Sequence, residues 1–234
     1  MPAYTMTKAS PPKKLLTTKV RKFLSGFLLV SGLSLIVIAL GPFIYQEALF
    51  YISELKNQKF TLIPSAETVP DSPFARLIST RPIELDPVSR EFGLVIERIG
   101  VNVPVVKDVP VGDAEAYMKA LESGIAHASV SDYPSDNPGN VYIFAHASLN
   151  FWRLGKYATV FNLLRHLKQG DAIHIFYEEQ DFVYKVVNIE KYKGWEIYPL
   201  TRPVLEPLLT LQTCDPPGTT LNRLVVTAKL QEVR

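Results

Sequence analysis

The sequence predicts a mostly-β domain, a closed barrel of about eight strands with two or three short helices, preceded by one amino-terminal transmembrane helix. From Leu94 onward the chain is a series of short apolar runs separated by turn residues, the texture of an all-β sandwich or barrel. The last run, "RLVVTAKL", is too apolar to serve as an unprotected edge, which favours closure. Phe23 to Tyr45 carries no charge. A helix over it reaches ~35 Å, enough to cross a ~30 Å hydrocarbon layer with some tilt.

The chain has 234 residues and 26.3 kDa, with 47% apolar and 21% charged residues, enough for one sizeable core with attachments. A net charge of +2 hides an asymmetry: Lys8, Lys13, Lys14, Lys19, Arg21 and Lys22 all precede the first acidic residue, Glu47. No stripe of basic residues interleaved with aromatics follows, which argues against a nucleic-acid partner. The apolar run is longer than a usual signal-peptide core, and Gly41-Pro42-Phe43 is not a small-x-small cleavage site, so it is expected to stay as an uncleaved anchor. Its basic flank places residues 1–22 in the cytoplasm as a tail, residues 23–45 in the plasma membrane, and the remainder outside.

Residues 46–91 hold Pro64, Pro70, Pro73, Pro82 and Pro87 among polar residues and read as a stalk, its opening able to continue the helix for a few turns. The stretch 62–90 is alternatively a lid, with "DSPFA" at 71–75 setting an acidic residue near an aromatic. The barrel occupies 92–234. "LVIERIG" and "VPVVK" read as two strands with Gly100-Val101-Asn102 as the bend. "DAEAYMKALESG" has Asp113 as N-cap and Gly124 as stop for a short helix. "SDYPSDNPGN" is a turn-rich loop leading into the strand "VYIFAH", which ends at His146. "TVFNLLRHLKQGD" suits a short amphipathic helix through Phe161, Leu164 and Leu167. "AIHIFY" and "DFVYKVVNIEKY" form a hairpin around "EEQ", and "LLTLQT" and "RLVVTAKL" form the final pair.

The chain has one cysteine, Cys214. Outside the reducing cytosol it cannot form an intramolecular disulfide, so it is an intermolecular linker, an inert buried residue or a reactive group. It falls at the end of one predicted strand, Arg223 at the start of the next and His146 at the end of a third, a placement that favours reactivity over mid-strand burial. A thiol needs a base or a positive field to become a nucleophile. An imidazole can also protonate a leaving amine, and a guanidinium can steady negative charge on an attacked carbonyl.

"TLQTC", Thr210 to Cys214, followed by Arg223, resembles the TLxTC…R signature of the sortases, membrane-anchored cysteine transpeptidases of bacterial surfaces. "GIAHASVSDYPSDNPGNVYIFAH" is similar to their second signature, a Pro-Gly-x-Asn turn leading into a strand that ends in the catalytic histidine. "LVIERIGVNVPVV" resembles their opening hairpin. The resemblance covers roughly residues 92–230 and implies that Cys214 is the nucleophile, His146 the general acid and base, and Arg223 the residue that holds the peptide and steadies the oxyanion. It implies cleavage of an LPxTG-like sorting signal after threonine through a thioacyl enzyme. The acyl group then passes to an amine, a cell-wall precursor or a pilin lysine, with water competing. Thr213 would shape the pocket floor. His127 would contact substrate or order its loop, and Trp195, with Tyr198 and Leu200, would wall the peptide or belong to the core.

The turn "DPPGTT" after Cys214 is closest to class C, D or E sortases. Two features depart from the pattern. Ala145 stands where glycine often precedes the histidine, so that its methyl bears on the approach to His146. Asp215 is a negative neighbour of the thiol that Arg223 is expected to offset. His166 and His174 read as structural or solvated, no pair of ligands has zinc spacing, and Ile189 to Pro207 lacks an acidic cluster for calcium, so neither metal nor cofactor is expected. The competing readings are a catalytically silent barrel that binds surface peptides, and a thiol endopeptidase that delivers acyl groups only to water.

Overall fold

The computed structural model describes residues 18–62, 82–147, 157 and 159–234; "DSPFA" and the basic tail up to residue 17 lie outside them. The chain divides at Gly41 into two compact units. Helix α1, Thr18–Leu55, runs through the boundary. From Val20 to Leu55 it is long and apolar enough to cross a membrane by length and composition, and Phe23, Phe27, Leu29 and Leu35 are exposed along it.

The second unit, Pro42–Arg234, is built on a closed barrel of eight strands. These are β3 (Phe92–Ile96), β4 (Val101–Val109), β5 (Ile125–Ala128), β6 (Gly139–Phe144), β7 (Ala172–Tyr177), β8 (Gln180–Lys193), β9 (Pro207–Asp215) and β10 (Asn222–Val233). Around the barrel the order is β10-β8-β7-β3-β4-β5-β6-β9. Two neighbouring pairs, β4/β5 and β6/β9, are parallel. Because side chains alternate along a strand, Leu94, Ile96, Ile143, Ile175, Leu209, Leu211 and Val226 fill the interior. A second, outer apolar cluster of Val109, Ala126, Ala128, Tyr142 and Phe144 is covered by Tyr117 and Ala120 of helix α2, Ala114–Ser123.

Local chemistry explains the joints. Asp113 caps α2 as the sequence predicts, its carboxylate accepting from the amides of Glu115 and Ala116 at 2.9 and 3.0 Å. The bend after β3 comes earlier than expected: Glu97–Ile99 forms a 3₁₀ turn closed by Gly100 at φ 62°, and β4 already begins at Val101. A side chain at Gly100 would also collide with the Phe60 ring at 2.8 Å. The helix expected at 159–167 is a 3₁₀ helix, Val160–His166. Its apolar residues Phe161, Leu164 and Leu167 are spaced by three, the period at which 3₁₀ side chains eclipse on one face. The β7–β8 hairpin turns on Glu178 and Glu179, both at positive φ, a two-residue turn that more often uses Asn and Gly. Here their amides donate to the Glu91 and Arg90 carbonyls at 3.1 Å each.

Residues 46–55, assigned to a stalk from sequence, are helical and pack on the barrel domain. Glu47 accepts from Arg165 at 2.8 Å and meets the His166 ring nitrogen at 2.9 Å. Gln46 bonds Thr159 and Asn162 at 3.0 Å each, and buried Phe50 stacks on His166 with ring centres 4.2 Å apart. Arg98 ties Glu54 to Asp171. Beyond the helix, β1 (Phe60–Leu62) and β2 (Ile83–Leu85) pair in parallel. Replacing Glu47 with Ala leaves Arg165 and His166 without their acceptor. The expected cost is about 1–3 kcal/mol of unfolding free energy, read by chemical denaturation of the full chain in detergent.

Candidate active site

Strands β6 and β9 run in the same direction, in register from Asn140 opposite Leu208 to Phe144 opposite Gln212. They therefore end on one rim, and antiparallel β10 starts there. Cys214 is the penultimate residue of β9, Arg223 lies directly across from it, and His146 follows β6 by two residues. Alternation turns Thr210, Gln212 and Cys214 to the outer face of the barrel, and Arg223, Val225 and Thr227 with them. Leu209, Leu211 and Thr213 point inward.

The Arg223 guanidinium donates from Nη1 to the Cys214 sulfur at 3.3 Å. Three bonds hold the histidine segment to the cysteine segment. Thr213 Oγ1 donates to the Ala145 carbonyl at 2.9 Å, the Ala145 amide to the Gln212 carbonyl at 3.2 Å, and the Gly218 amide to the Ala147 carbonyl at 2.7 Å. His146 is thus bracketed on both sides by bonds to the strand and turn that carry Cys214. The Ala145 methyl is buried in the barrel core.

Burial lowers the His146 pKa below its usual 6.5, and the charge of Arg223 lowers it further, so the imidazole is neutral at pH 7. Its ring lies 4.8 Å from that of Tyr117. The Tyr117 pKa is raised, first by burial and then by the negative field of Cys214, which brings this phenol into the same electrostatic neighbourhood. Sequence reasoning missed Tyr117. Its signal was the apolar stripe it shares with Ala120 and Leu121 on α2. Asp215 is not left for Arg223 to offset, because its carboxylate meets Lys191 Nζ of β8 at 2.8 Å.

The other sequence candidates lie differently. Thr213 is buried and works through its hydroxyl bond to Ala145. His127 is 0% exposed; its Nε2 lies 3.0 Å from the Asp132 carbonyl and 3.1 Å from Ser131 Oγ, and its ring stacks on Tyr133. It orders the loop before β6 and offers no surface to a peptide. Trp195 is 78% exposed in the turn after β8, beside the 216–221 turn through the Gly194 amide, which donates to the Leu221 carbonyl at 3.0 Å. Leu200 belongs to the outer apolar cluster. His174 pairs with Asp181 at 3.0 Å. Among the described residues no three His, Cys, Asp or Glu side chains converge as a metal site would need.

A family model described as Sortase domain matches residues 94–231. Among solved structures, sortase C-1 from Actinomyces oris is 24% identical, covering 80% of this chain and 98% of that one, with a TM-score of 0.51. The pilus-related sortase C of Group B Streptococcus is 19% identical over 81% of this chain and 89% of that one, TM-score 0.50. Sortase C1 from Streptococcus agalactiae is 20% identical over 70% and 78%, TM-score 0.50. At these identities the likeness is one of fold. A comparison with curated proteins gives no match.

Burial lowers the pKa of His127 and of His146 below 6.5, the value each has in the unfolded chain. Well above pH 6.5 both states are neutral and these residues add no pH dependence. As pH falls below 6.5 the unfolded chain takes up protons first, so stability is expected to drop until the folded pKa is reached. The check is the unfolding free energy of the full chain between about pH 5 and 8. His127→Gln, which removes one titrating group, should flatten the slope.

Proposed function

The chain belongs to the sortase family, and from that premise we propose that it is a membrane-anchored cysteine transpeptidase with Cys214 as nucleophile, His146 as general acid and base, and Arg223 as the electrostatic partner of both sulfur and oxyanion. The observation that carries this reading is the 3.3 Å approach of the Arg223 guanidinium to the Cys214 sulfur, on the rim where the His146 segment is bonded to the strand of Cys214. A passive core cysteine has no use for a guanidinium donor.

The chemistry follows from the protonation states. Cys214 attacks the carbonyl carbon of the peptide bond after threonine in an LPxTG-like sorting signal, and neutral His146 takes the thiol proton. Negative charge moves onto the carbonyl oxygen, where Arg223 can stabilise it. The imidazolium then protonates the leaving amine, the C–N bond breaks and a thioester remains. An acceptor amine, from a cell-wall precursor or a pilin lysine, attacks the thioester and gives its extra proton to His146. The C–S bond breaks and the thiol is restored. Water in place of the amine gives hydrolysis. The uncharged run 23–45 serves as the anchor, with the basic tail 1–22 on the cytoplasmic side and the barrel outside.

The test uses the full chain in detergent with a library of five-residue sorting peptides, followed by intact-protein mass spectrometry with and without an added amine. Acylation of Cys214 and transfer to the amine are expected; hydrolysis alone would identify an endopeptidase, and no acylation a silent barrel. Arg223→Ala is expected to lower kcat/KM by about 10²–10³-fold, with partial recovery in Arg223→Lys, whereas Arg223→Ala at full rate would remove the residue from the mechanism.

A further inference from the structure

A second guanidinium shares the outer face that carries Cys214 and Arg223. The outward residues of β9 and β10 form three rungs in register: Cys214 with Arg223, Gln212 with Val225, and Thr210 with Thr227. The short helix α3, Tyr198–Thr201, lies against the far end of this face. There the Asn140 amide donates to the Pro199 carbonyl at 3.2 Å, and Leu200 packs with the outer cluster. Arg202, the next residue, reaches over the last rung and donates from Nη2 to the hydroxyls of both Thr210 and Thr227 at 3.0 Å.

Those two bonds fix the plane of the Arg202 guanidinium without balancing its charge. Among the described residues no carboxylate pairs with it, and its Nε is buried without a partner. A half-buried cation left in this way is costly unless an anion or acceptor joins it. The charges of Arg202 and Arg223 both act on the phenol of Tyr142, whose hydroxyl donates to Gln212 on the middle rung. Two guanidiniums thus flank one tyrosine on one face.

Thr210 is four residues before Cys214, ~13 Å along the strand at about 3.3 Å per residue. An extended peptide with its scissile carbonyl at Cys214 covers that distance in about four residues. The acyl portion must stay bound through both chemical steps, while the leaving amine must escape. The open 216–221 side beyond Cys214 suits the leaving group, and the end closed by α3 suits the retained portion. Resting on the transpeptidase reading, we propose that Arg202 is a specificity-determining residue that takes the carboxylate of an Asp or Glu about four positions before the scissile threonine, just outside a five-residue sorting core.

The experiment walks Asp, Gln and Lys through the positions before that core in peptides that acylate Cys214, with the full chain in detergent. Asp is expected to exceed Lys in kcat/KM by about tenfold at that position, equivalent to ~1.4 kcal/mol, with the gap narrowing at high salt. Arg202→Gln should abolish the preference and Arg202→Glu reverse it. Equal rates for Asp and Lys at every such position in the unsubstituted enzyme would overturn the assignment without recourse to any variant. If no peptide acylates Cys214, the transpeptidase reading fails and this inference with it. If peptides acylate it without regard to charge, only the role of Arg202 falls.

Discussion

The parallel pairing of β6 with β9 is the constraint on which the candidate site depends. Strands that run in the same direction end on the same rim, so a histidine just past one and a cysteine near the end of the other are neighbours by topology. Antiparallel β10 then has to begin where β9 ends, and Arg223 arrives opposite Cys214. A parallel pair cannot be joined by a tight turn. The 3₁₀ helix, the β7–β8 hairpin and α3 all lie in the crossover between β6 and β9. The bonds from Thr213, Gln212 and Gly218 to Ala145 and Ala147 refine this arrangement to the scale chemistry requires.

Charge around the sulfur is distributed rather than concentrated. Arg223 faces Cys214 directly, Lys191 takes up Asp215, and His146 is kept neutral by burial and by Arg223 itself. The imidazole is then free to accept a proton, while the standing positive charge comes from the guanidinium. Tyr117, packed against the imidazole, adds an apolar wall that keeps water from one side of the ring.

Much of this was legible in the sequence because it is carried by local pattern. Alternation in "LLTLQT" and "RLVVTAKL", the cap at Asp113 and the strand-end positions of Cys214, His146 and Arg223 need no knowledge of distant contacts. What escaped was set by contacts between distant segments. The docking of residues 46–55 rests on Gln46 meeting Thr159 and Asn162, Glu47 meeting Arg165 and His166, and one buried aromatic, Phe50, stacked on His166, all more than a hundred positions away, and a helical face with so few apolar contacts has no hydrophobic period to betray it. The β1–β2 pair joins segments on either side of the proline-rich stretch. The positive φ of Glu178 and Glu179 is supported by carbonyls from residues 90 and 91; sequence alone could not single them out in place of Asn or Gly. Trp195, expected either to wall the peptide or to join the core, is left in solvent by its turn.

The guanidinium beside the sulfur also biases which covalent reagents the thiol will accept. An electrophile bearing a sulfonate or carboxylate close to its reactive carbon approaches a cation at 3.3 Å from the attacking atom, whereas a quaternary-ammonium reagent of equal intrinsic reactivity meets repulsion. With one sulfhydryl in the whole polypeptide, no second thiol blurs that discrimination. An anionic warhead therefore both selects this centre and counts it, one adduct for each correctly folded molecule.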